Sequence, residues 1–167
     1  IDLGRMKKLG EKGLDILLSD STNSLASGWT GSETKVRANL VEQFTKIKGR
    51  ILTCLFSSNT YRLQSLIECA RLTGRKVALT GRSTKSYARI AMELGKLNTK
   101  DVELYDVEDM NKFEDSEVLV IVTGSQAEPR SVLSRMARDM FGPFKIKNTD
   151  TLLMSSKMIP GNEGRVL

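Results

Sequence analysis

The stretch VLVIVTGSQAEPRSVLSRM, residues 118–136, decides the fold class. Its first six residues form a nearly continuous run of β-branched and aliphatic side chains, which is typical of a parallel strand covered on both faces. A polar loop follows. Pro129 is suited to the first position of a helix, and Val132, Leu133 and Met136 then recur at helical spacing. The stretch therefore predicts one strand, one loop and one helix in succession.

The same unit recurs along the chain. Helix signals stand between the apolar runs: Asn59 and Ser83 are candidate N-caps, Thr30 with Glu33 forms a candidate capping box, and glycines follow the helical periods. Such alternation predicts βαβ units with right-handed crossovers. We therefore expect an α/β domain with a doubly wound, mainly parallel sheet and helices on both faces. The predicted strands are residues 15–18, 51–56, 76–80, 102–105, 118–123 and 151–154.

Composition excludes several classes of function. The 167 residues include no histidine, which removes histidine-based acid–base catalysis and histidine-ligated zinc from this chain. Cys54 and Cys69 fit apolar positions and are expected to be buried thiols in a reducing compartment. No stretch is apolar and long enough to span a bilayer, so we expect a cytoplasmic protein without membrane partners. The net charge of +6 permits a polyanionic partner, whereas 5% aromatic residues argue against an extensive base-stacking surface.

The loops after the strands hold the candidate binding residues. In open α/β sheets, ligands bind outside the carboxyl ends of the strands. These loops offer hydroxyls, amides, glycine backbone and basic side chains, which together suit phosphate oxygens. For any single loop the alternative is that its polar residues only cap a helix. The candidates are Ser21, Thr22, Asn23, Ser57, Ser58, Asn59, Arg82, Ser83, Gly124, Ser125, Gln126, Arg130, Ser155, Ser156 and Asn162.

Asp20 is the candidate acid, because it directly follows the apolar run at residues 16–18. An acid at the carboxyl edge of a sheet orients a base or binds a metal, and the alternative is an ordinary capping or turn residue. Gly81 and Arg82 after a strand also allow an NADP-dependent enzyme of Rossmann type. The glycine fingerprint of dinucleotide-binding proteins is absent, which disfavours that enzyme.

Six short motifs occur together and in order, and as a set they closely resemble the β-CASP domain of the bacterial ribonuclease J family. They are LSDSTN at 18–23, FSSN at 56–59, GRS at 81–83, TGSQAEP at 123–129, SRMA at 134–137 and IPGNE at 159–163. The resemblance covers nearly the whole chain. It implies a Rossmann-like β-CASP domain over residues 14–167, and residues 1–13 resemble the helix that joins it to a preceding metallo-β-lactamase module.

The resemblance implies a parent enzyme that degrades or processes RNA, from the 5′ end or internally. Two zinc ions are expected in the metallo-β-lactamase module, where they would activate a water molecule. Asp20 is expected to support a histidine outside this chain, and the serine- and glycine-rich loops are expected to meet the RNA backbone or its 5′ phosphate. The parent is expected to be a homodimer or homotetramer.

Two departures from the family pattern affect the expected activity. Ala127 stands where the family usually has glycine, and the zinc-binding histidines have no counterpart in this sequence. We therefore expect this chain to bind RNA or phosphate and to lack hydrolytic activity by itself. The alternatives are a freestanding phosphate- or RNA-binding or interaction module and, less favoured, the Rossmann-type NADP enzyme.

Overall fold

The computed structural model describes residues 2–21, 24–29, 31–142, 144–159 and 161–166. The chain divides into two compact units, residues 1–30 and residues 31–167. Thr22, Asn23, Thr30 and Pro160, which the sequence analysis singled out, lie outside the described residues. No helix in the described ranges is both long and apolar enough to cross a membrane.

The first unit contains one helix, α1 (Leu3–Lys12), among its described residues. The Asp2 carboxylate caps this helix by accepting a hydrogen bond from the Arg5 amide at 2.9 Å. The predicted strand at residues 15–18 is wrong, because these residues form no regular element and Leu18 is 92% exposed. An apolar run becomes a strand only beside a partner strand, and no described strand pairs with it. The structure therefore does not place Asp20 at the edge of a sheet.

The second unit contains the sheet and its helices. Its elements are α2 (Glu33–Lys46), β1 (Ile51–Cys54), α3 (Thr60–Thr73), β2 (Lys76–Leu79), α4 (Arg82–Glu93), β3 (Leu104–Tyr105), the 3₁₀ helices Val107–Lys112 and Asp115–Glu117, β4 (Val118–Val122), α5 (Val132–Met136), β5 (Thr151–Met154) and α6 (Glu163–Val166). Each strand begins and ends within two residues of its predicted bounds.

The described strands form one sheet of five in the order β3-β2-β4-β1-β5, and every pairing is parallel. Ile51 at the start of β1 stands opposite Leu119 of β4 on one side and Thr151 of β5 on the other. The predicted α/β fold with a parallel sheet is confirmed. Because all strands run the same way, their carboxyl ends meet at one edge.

Alternate residues of the buried strands face two different apolar clusters. In β4, Leu119 and Ile121 pack with α2, α3 and α4, whereas Val118, Val120 and Val122 pack with α5 and the 3₁₀ helix Val107–Lys112. All five residues of β4 are buried. The predicted coverage of both faces is therefore confirmed, and it explains why the strand sequence is continuously apolar.

The predicted helix termini are partly correct. Asn59 caps α3 by accepting from the Arg62 amide at 3.0 Å, and Gly74 ends that helix in the left-handed conformation. Ser83 is not a cap, because α4 already begins at Arg82. Pro129 lies before its helix, which starts at Val132 and is capped by Ser131.

Candidate functional site

The fold creates a crevice at the carboxyl ends of β2 and β4. These strands are neighbours, but β2 leads into α4 on one face of the sheet and β4 leads into α5 on the other. Such a divergence is where open α/β sheets bind ligands. A pocket of about 770 Å³ opens here, and we call it the rim pocket. Its polar and charged lining residues are Ser57, Arg82, Ser83, Lys85, Thr123, Ser125, Glu128, Arg130, Ser131 and Arg135.

Two glycines bring the backbone close to the rim pocket. Gly81 has φ 84°, and a Cβ atom there would lie 2.6 Å from Cγ2 of Thr123. Gly124 has φ 120°, and its Cβ would lie 2.5 Å from Oγ of Ser131. Both positions combine a backbone conformation that favours glycine with space for no side chain. The backbone itself therefore forms part of the pocket wall.

The amino terminus of α4 faces the rim pocket without a side-chain cap. Gly81 occupies the N-cap position, so the cap residue has no side chain that could accept a hydrogen bond from the first turn. The first amide N–H groups of a helix lack partners within the helix and carry partial positive charge. This end of α4, with Arg82 and Ser83 in its first turn, is therefore suited to an anion.

The lining of the rim pocket carries a cationic excess. Four basic side chains (Arg82, Lys85, Arg130 and Arg135) face one carboxylate, Glu128. Within the described residues, Arg82 and Arg130 form no ion pair or hydrogen bond through their side chains. Both guanidinium groups are therefore available to bind a ligand.

The other two basic side chains, those of Lys85 and Arg135, contact nearby residues and still line the pocket. Lys85 pairs with Asp106 at 3.1 Å, and both side chains are more than half exposed, so this contact is weak. Arg135 donates to the Met140 carbonyl at 3.2 Å and lies over the Phe141 ring. The excess of positive charge favours an anionic ligand such as a phosphate.

Hydroxyl groups connect the loops around the pocket. Oγ of Ser57 lies 3.0 Å from Oγ of Ser83 and 3.2 Å from Oγ1 of Thr84, which ties the loop after β1 to the start of α4. Ser125 is buried directly after Gly124. The structure thus brings six predicted site residues together in the lining: Ser57, Arg82, Ser83, Gly124, Ser125 and Arg130.

Other predicted site residues have structural contacts instead. Asn59 caps α3, as the capping alternative anticipated. Ser155 accepts hydrogen bonds from Arg62 through both its carbonyl and its hydroxyl. Arg62 also pairs with Glu33 at 2.9 Å, and hydrogen bonding from this guanidinium holds the pKa of Glu33 below its usual value. These contacts join α2, α3 and the end of β5.

Gln126 holds the segment that follows β5. Its amide group donates to the Lys157 carbonyl at 3.0 Å and accepts from the Ile159 amide at 2.8 Å, and Asn162 lies 3.5 Å from the same oxygen. Gln126 is buried, so these bonds fix the segment against the loop after β4. Gln126 and Asn162 therefore shape the edge of the sheet and do not line the rim pocket.

The remaining candidates lie away from the rim pocket or in the first unit. Ser58 is exposed, and Oγ of Ser156 is buried without a hydrogen-bond partner among the described residues. Asp20 and Ser21 belong to the first unit and are exposed. Their roles, with those of Thr22 and Asn23, stay predictions.

The candidate list drawn from the sequence lacks several residues of the pocket, among them Arg135 and Phe141. Both lie beyond the loop after β4, one in α5 and one after it. Arg135 belongs to the SRMA motif, but that motif indicated the family and not a place in the pocket. The short length of α5, five residues, returns the chain to the pocket at Phe141. This return is a property of the tertiary structure and has no local signal in the sequence.

The described residues offer no metal centre. No cluster of three or more histidine, cysteine, aspartate or glutamate side chains among them could hold an ion. Cys54 and Cys69 are free and buried, and burial raises the pKa of each thiol to about 11. These two thiols do not fit a zinc site.

The fold and the site together define a doubly wound α/β domain with a cationic pocket, suited to phosphate, where its strand order diverges. Comparison with known proteins identifies the family. The family described as "Ribonuclease J, beta-CASP domain" matches residues 48–167. The chain belongs to this family, which confirms the resemblance seen in its motifs.

Curated relatives agree with the family match. The chain is 40% identical over 164 residues to Ribonuclease J of Thermus thermophilus, with 98% of this chain and 28% of the relative aligned. It is 41% identical over 165 residues to Ribonuclease J of Helicobacter pylori, covering 99% of this chain and 24% of the relative. Ribonuclease J2 of Bacillus subtilis is 35% identical over 97% of this chain and 29% of its own length. The chain thus spans about a quarter of these relatives.

Proposed function

We propose that this chain is the RNA-binding β-CASP portion of a ribonuclease J-like enzyme and that the rim pocket binds a phosphate of the RNA. One observation carries the proposal: the amino terminus of α4, which has no side-chain cap, and the guanidinium groups of Arg82 and Arg130, which have no partner among the residues that the structure describes, converge on one pocket. Helix amides and arginine forks are the groups that proteins commonly use for phosphate oxygens.

The hydrolytic chemistry is assigned to the rest of the parent protein. The relatives carry the name Ribonuclease J, and the described part of this chain has no metal-binding cluster. We propose that two zinc ions, held in a metallo-β-lactamase module, supply the activated water. This chain would hold and orient the sugar-phosphate backbone. The domain boundary at residue 13/14, the cytoplasmic location and a dimeric or tetrameric parent stay predictions.

A binding experiment tests the role of the rim pocket. Fluorescence anisotropy is measured with labelled, 5′-monophosphorylated RNAs of unrelated sequence over a range of salt concentrations. We expect binding to weaken as salt rises, because phosphate contacts release counterions. Arg82→Ala should weaken binding to every sequence about equally, by roughly fivefold, and should reduce the salt slope by about one.

Arg89→Ala is the matched control. Arg89 lies on the same helix, pairs with Glu93 at 3.4 Å and does not line the rim pocket. Arg89→Ala removes the same charge outside the rim pocket, so it should weaken RNA binding only slightly. Equal losses from both substitutions would show that only the overall charge of the chain attracts RNA, and the proposed site would be wrong.

A second experiment tests where hydrolysis occurs. The chain is incubated with zinc and 5′-monophosphorylated RNA, and the products are separated by electrophoresis. We expect no zinc-dependent turnover. Cleavage that is reproducible and follows the concentration of this chain would contradict the assignment of catalysis to another module.

A further inference from the structure

Helix α4 carries a row of apolar side chains that lies outside the hydrophobic core. Tyr87, Ile90 and Leu94 follow one another at intervals of three and four residues, so they line up along one side of the helix. Their exposed fractions are 48%, 45% and 67%. We call this row the outer stripe. A different side of α4 packs in the core, and it consists of the small residues Thr84, Ala88 and Ala91.

Two opposite charges border the outer stripe. Arg89 precedes Ile90 and Glu93 precedes Leu94, so both charged side chains lie on the same border, about 100° around the helix from the stripe. Arg89 and Glu93 pair with each other at 3.4 Å, and their side chains are 70% and 61% exposed. Such an exposed pair is weak, so each charge is able to exchange its partner for one on another molecule.

The order of these two charges is complementary to itself. When two identical helices pack antiparallel about a twofold axis, the same border of each helix meets in the contact. A twofold axis near residue 91 places Arg89 of each copy beside Glu93 of the other copy. The same arrangement places Tyr87 beside Leu94 of the other copy and Ile90 close to the axis. Both the charges and the apolar side chains of α4 therefore match a second α4.

We propose that the outer stripe is a self-association surface, on which a second copy of this chain docks through an antiparallel pair of α4 helices. The inference goes beyond the proposed function and does not depend on it. A single pair of helices is smaller than the interfaces of roughly 1,000 Å² or more that hold stable complexes together. We therefore expect a weak dimer, with a dissociation constant on the order of 100 µM.

Sedimentation equilibrium of the full chain at low salt tests the dimer. Between about 10 µM and about 1 mM protein, the apparent mass should rise from one copy toward two. Ile90→Ser removes the apolar side chain nearest the axis and should weaken the dimer at least about tenfold. Ile146→Ser is the matched control, because Ile146 is 41% exposed and lies before the edge strand β5. The control should dimerise like the native chain.

Charge reversal tests the antiparallel arrangement itself. Arg89→Glu brings acidic side chains of the two copies together, and Glu93→Arg brings basic ones together. Each variant alone should therefore dimerise about tenfold more weakly than the native chain. A mixture of the two variants again pairs an acidic with a basic side chain at both contacts. Titration of fluorescently labelled Arg89→Glu with Glu93→Arg should thus give a heterodimer of about native affinity.

Recovery on mixing separates docking from folding. Both single variants lose the same pair within α4, so damage to the helix would weaken the mixture as much as either variant alone. A native chain that stays monomeric up to about 1 mM overturns the proposal and leaves the outer stripe to a different partner. A dimer that Ile90→Ser does not weaken uses another surface, which also overturns it. Failure of the mixed variants to pair shows that the helices do not pack antiparallel, and the proposed surface is then wrong.

Discussion

Removal of the Asp150 carboxylate should strongly destabilise the domain. Asp150 pairs with Arg50 through two hydrogen bonds, 2.7 Å from Nε to Oδ1 and 2.6 Å from the second guanidinium nitrogen to Oδ2. The side chains are only 2% and 3% exposed. The pair stands immediately before β1 and β5, and the Thr151 amide donates to the Arg50 carbonyl. It thus fixes the edge strand β5 beside the centre of the sheet.

The expected loss of stability follows from the burial of the Arg50–Asp150 ion pair. In Asp150→Ala the guanidinium of Arg50 keeps one carbonyl acceptor, Lys145, and the Phe144 ring at 4.2 Å, but it loses the carboxylate that pairs with it directly. Breaking a buried pair in this way costs about 3–5 kcal/mol. For a chain of this size each kilocalorie lowers Tm by about 2–4 °C, so the expected fall is on the order of 10 °C.

Asp115→Ala is the matched control. Asp115 pairs with Lys147 at a similar distance, 2.7 Å, but both side chains are at least 41% exposed. An exposed pair contributes about 0–1 kcal/mol, because water and salt screen it. Urea denaturation followed by far-UV circular dichroism gives the free energy of unfolding for each variant.

Two results would refute this reasoning. Losses for Asp150→Ala and Asp115→Ala that agree within about 0.5 kcal/mol would mean that burial does not set the value of the pair. The double variant Arg50→Met, Asp150→Leu removes both charges and should recover most of the lost stability. Failure of that rescue, in a variant that still folds, would assign the loss to packing instead of to an unpaired charge.

Three further predictions concern the backbone, pH and thiol chemistry. Ala127 has φ 53°, so Ala127→Gly should stabilise the domain by about 1 kcal/mol in urea denaturation, whereas Ala137→Gly, in ordinary helical backbone at φ −59°, should not. The lowered pKa of Glu33 stabilises the fold above its unfolded value of about 4.3, and this contribution is lost as pH falls through the folded value. When the free energy of unfolding is measured as the pH is lowered, Glu33→Gln should lack this small loss of stability, which is less than about 1 kcal/mol. The same acid dependence in Glu33→Gln and in the native chain would contradict the prediction. With pKa values of about 11, Cys54 and Cys69 should react with iodoacetamide at pH 8 roughly a hundredfold more slowly in the native chain than in urea, and equal rates would disprove their burial.

Local sequence patterns predicted most of the second unit. The continuous apolar runs at β1 and β4 predicted buried parallel strands, because a strand covered on both faces needs apolar residues on both. Asn59 and Gly74 marked the ends of α3, since capping and left-handed turns depend on neighbouring residues only. The loop residues that form the rim pocket were expected at the carboxyl edge for the same topological reason.

The sequence predictions were wrong where contacts with residues far away along the chain determine the structure. Residues 15–18 have the composition of a strand but no described strand beside them. Tyr87, Ile90, Ala91 and Leu94 recur at helical spacing, which favours a shared core-facing side, yet only Ala91 of these four is buried. Thr84, Ala88 and Ala91 form the buried side of α4, because small residues allow this helix to approach the sheet.

The amino-acid sequence by itself determined the α/β class, the order of strands and helices along the chain, and the family, because periodicity and ordered motifs are local information. The tertiary structure alone set the order of the strands across the sheet. It brought the loops after β1, β2 and β4 together with Arg135 and Phe141 in the lining of one pocket. It also separated Asn59 and Gln126, which hold the fold, from Arg82 and Arg130, which are available to a ligand. That separation depends on which partners each side chain meets across the folded chain, and spacing along the sequence does not encode those distances.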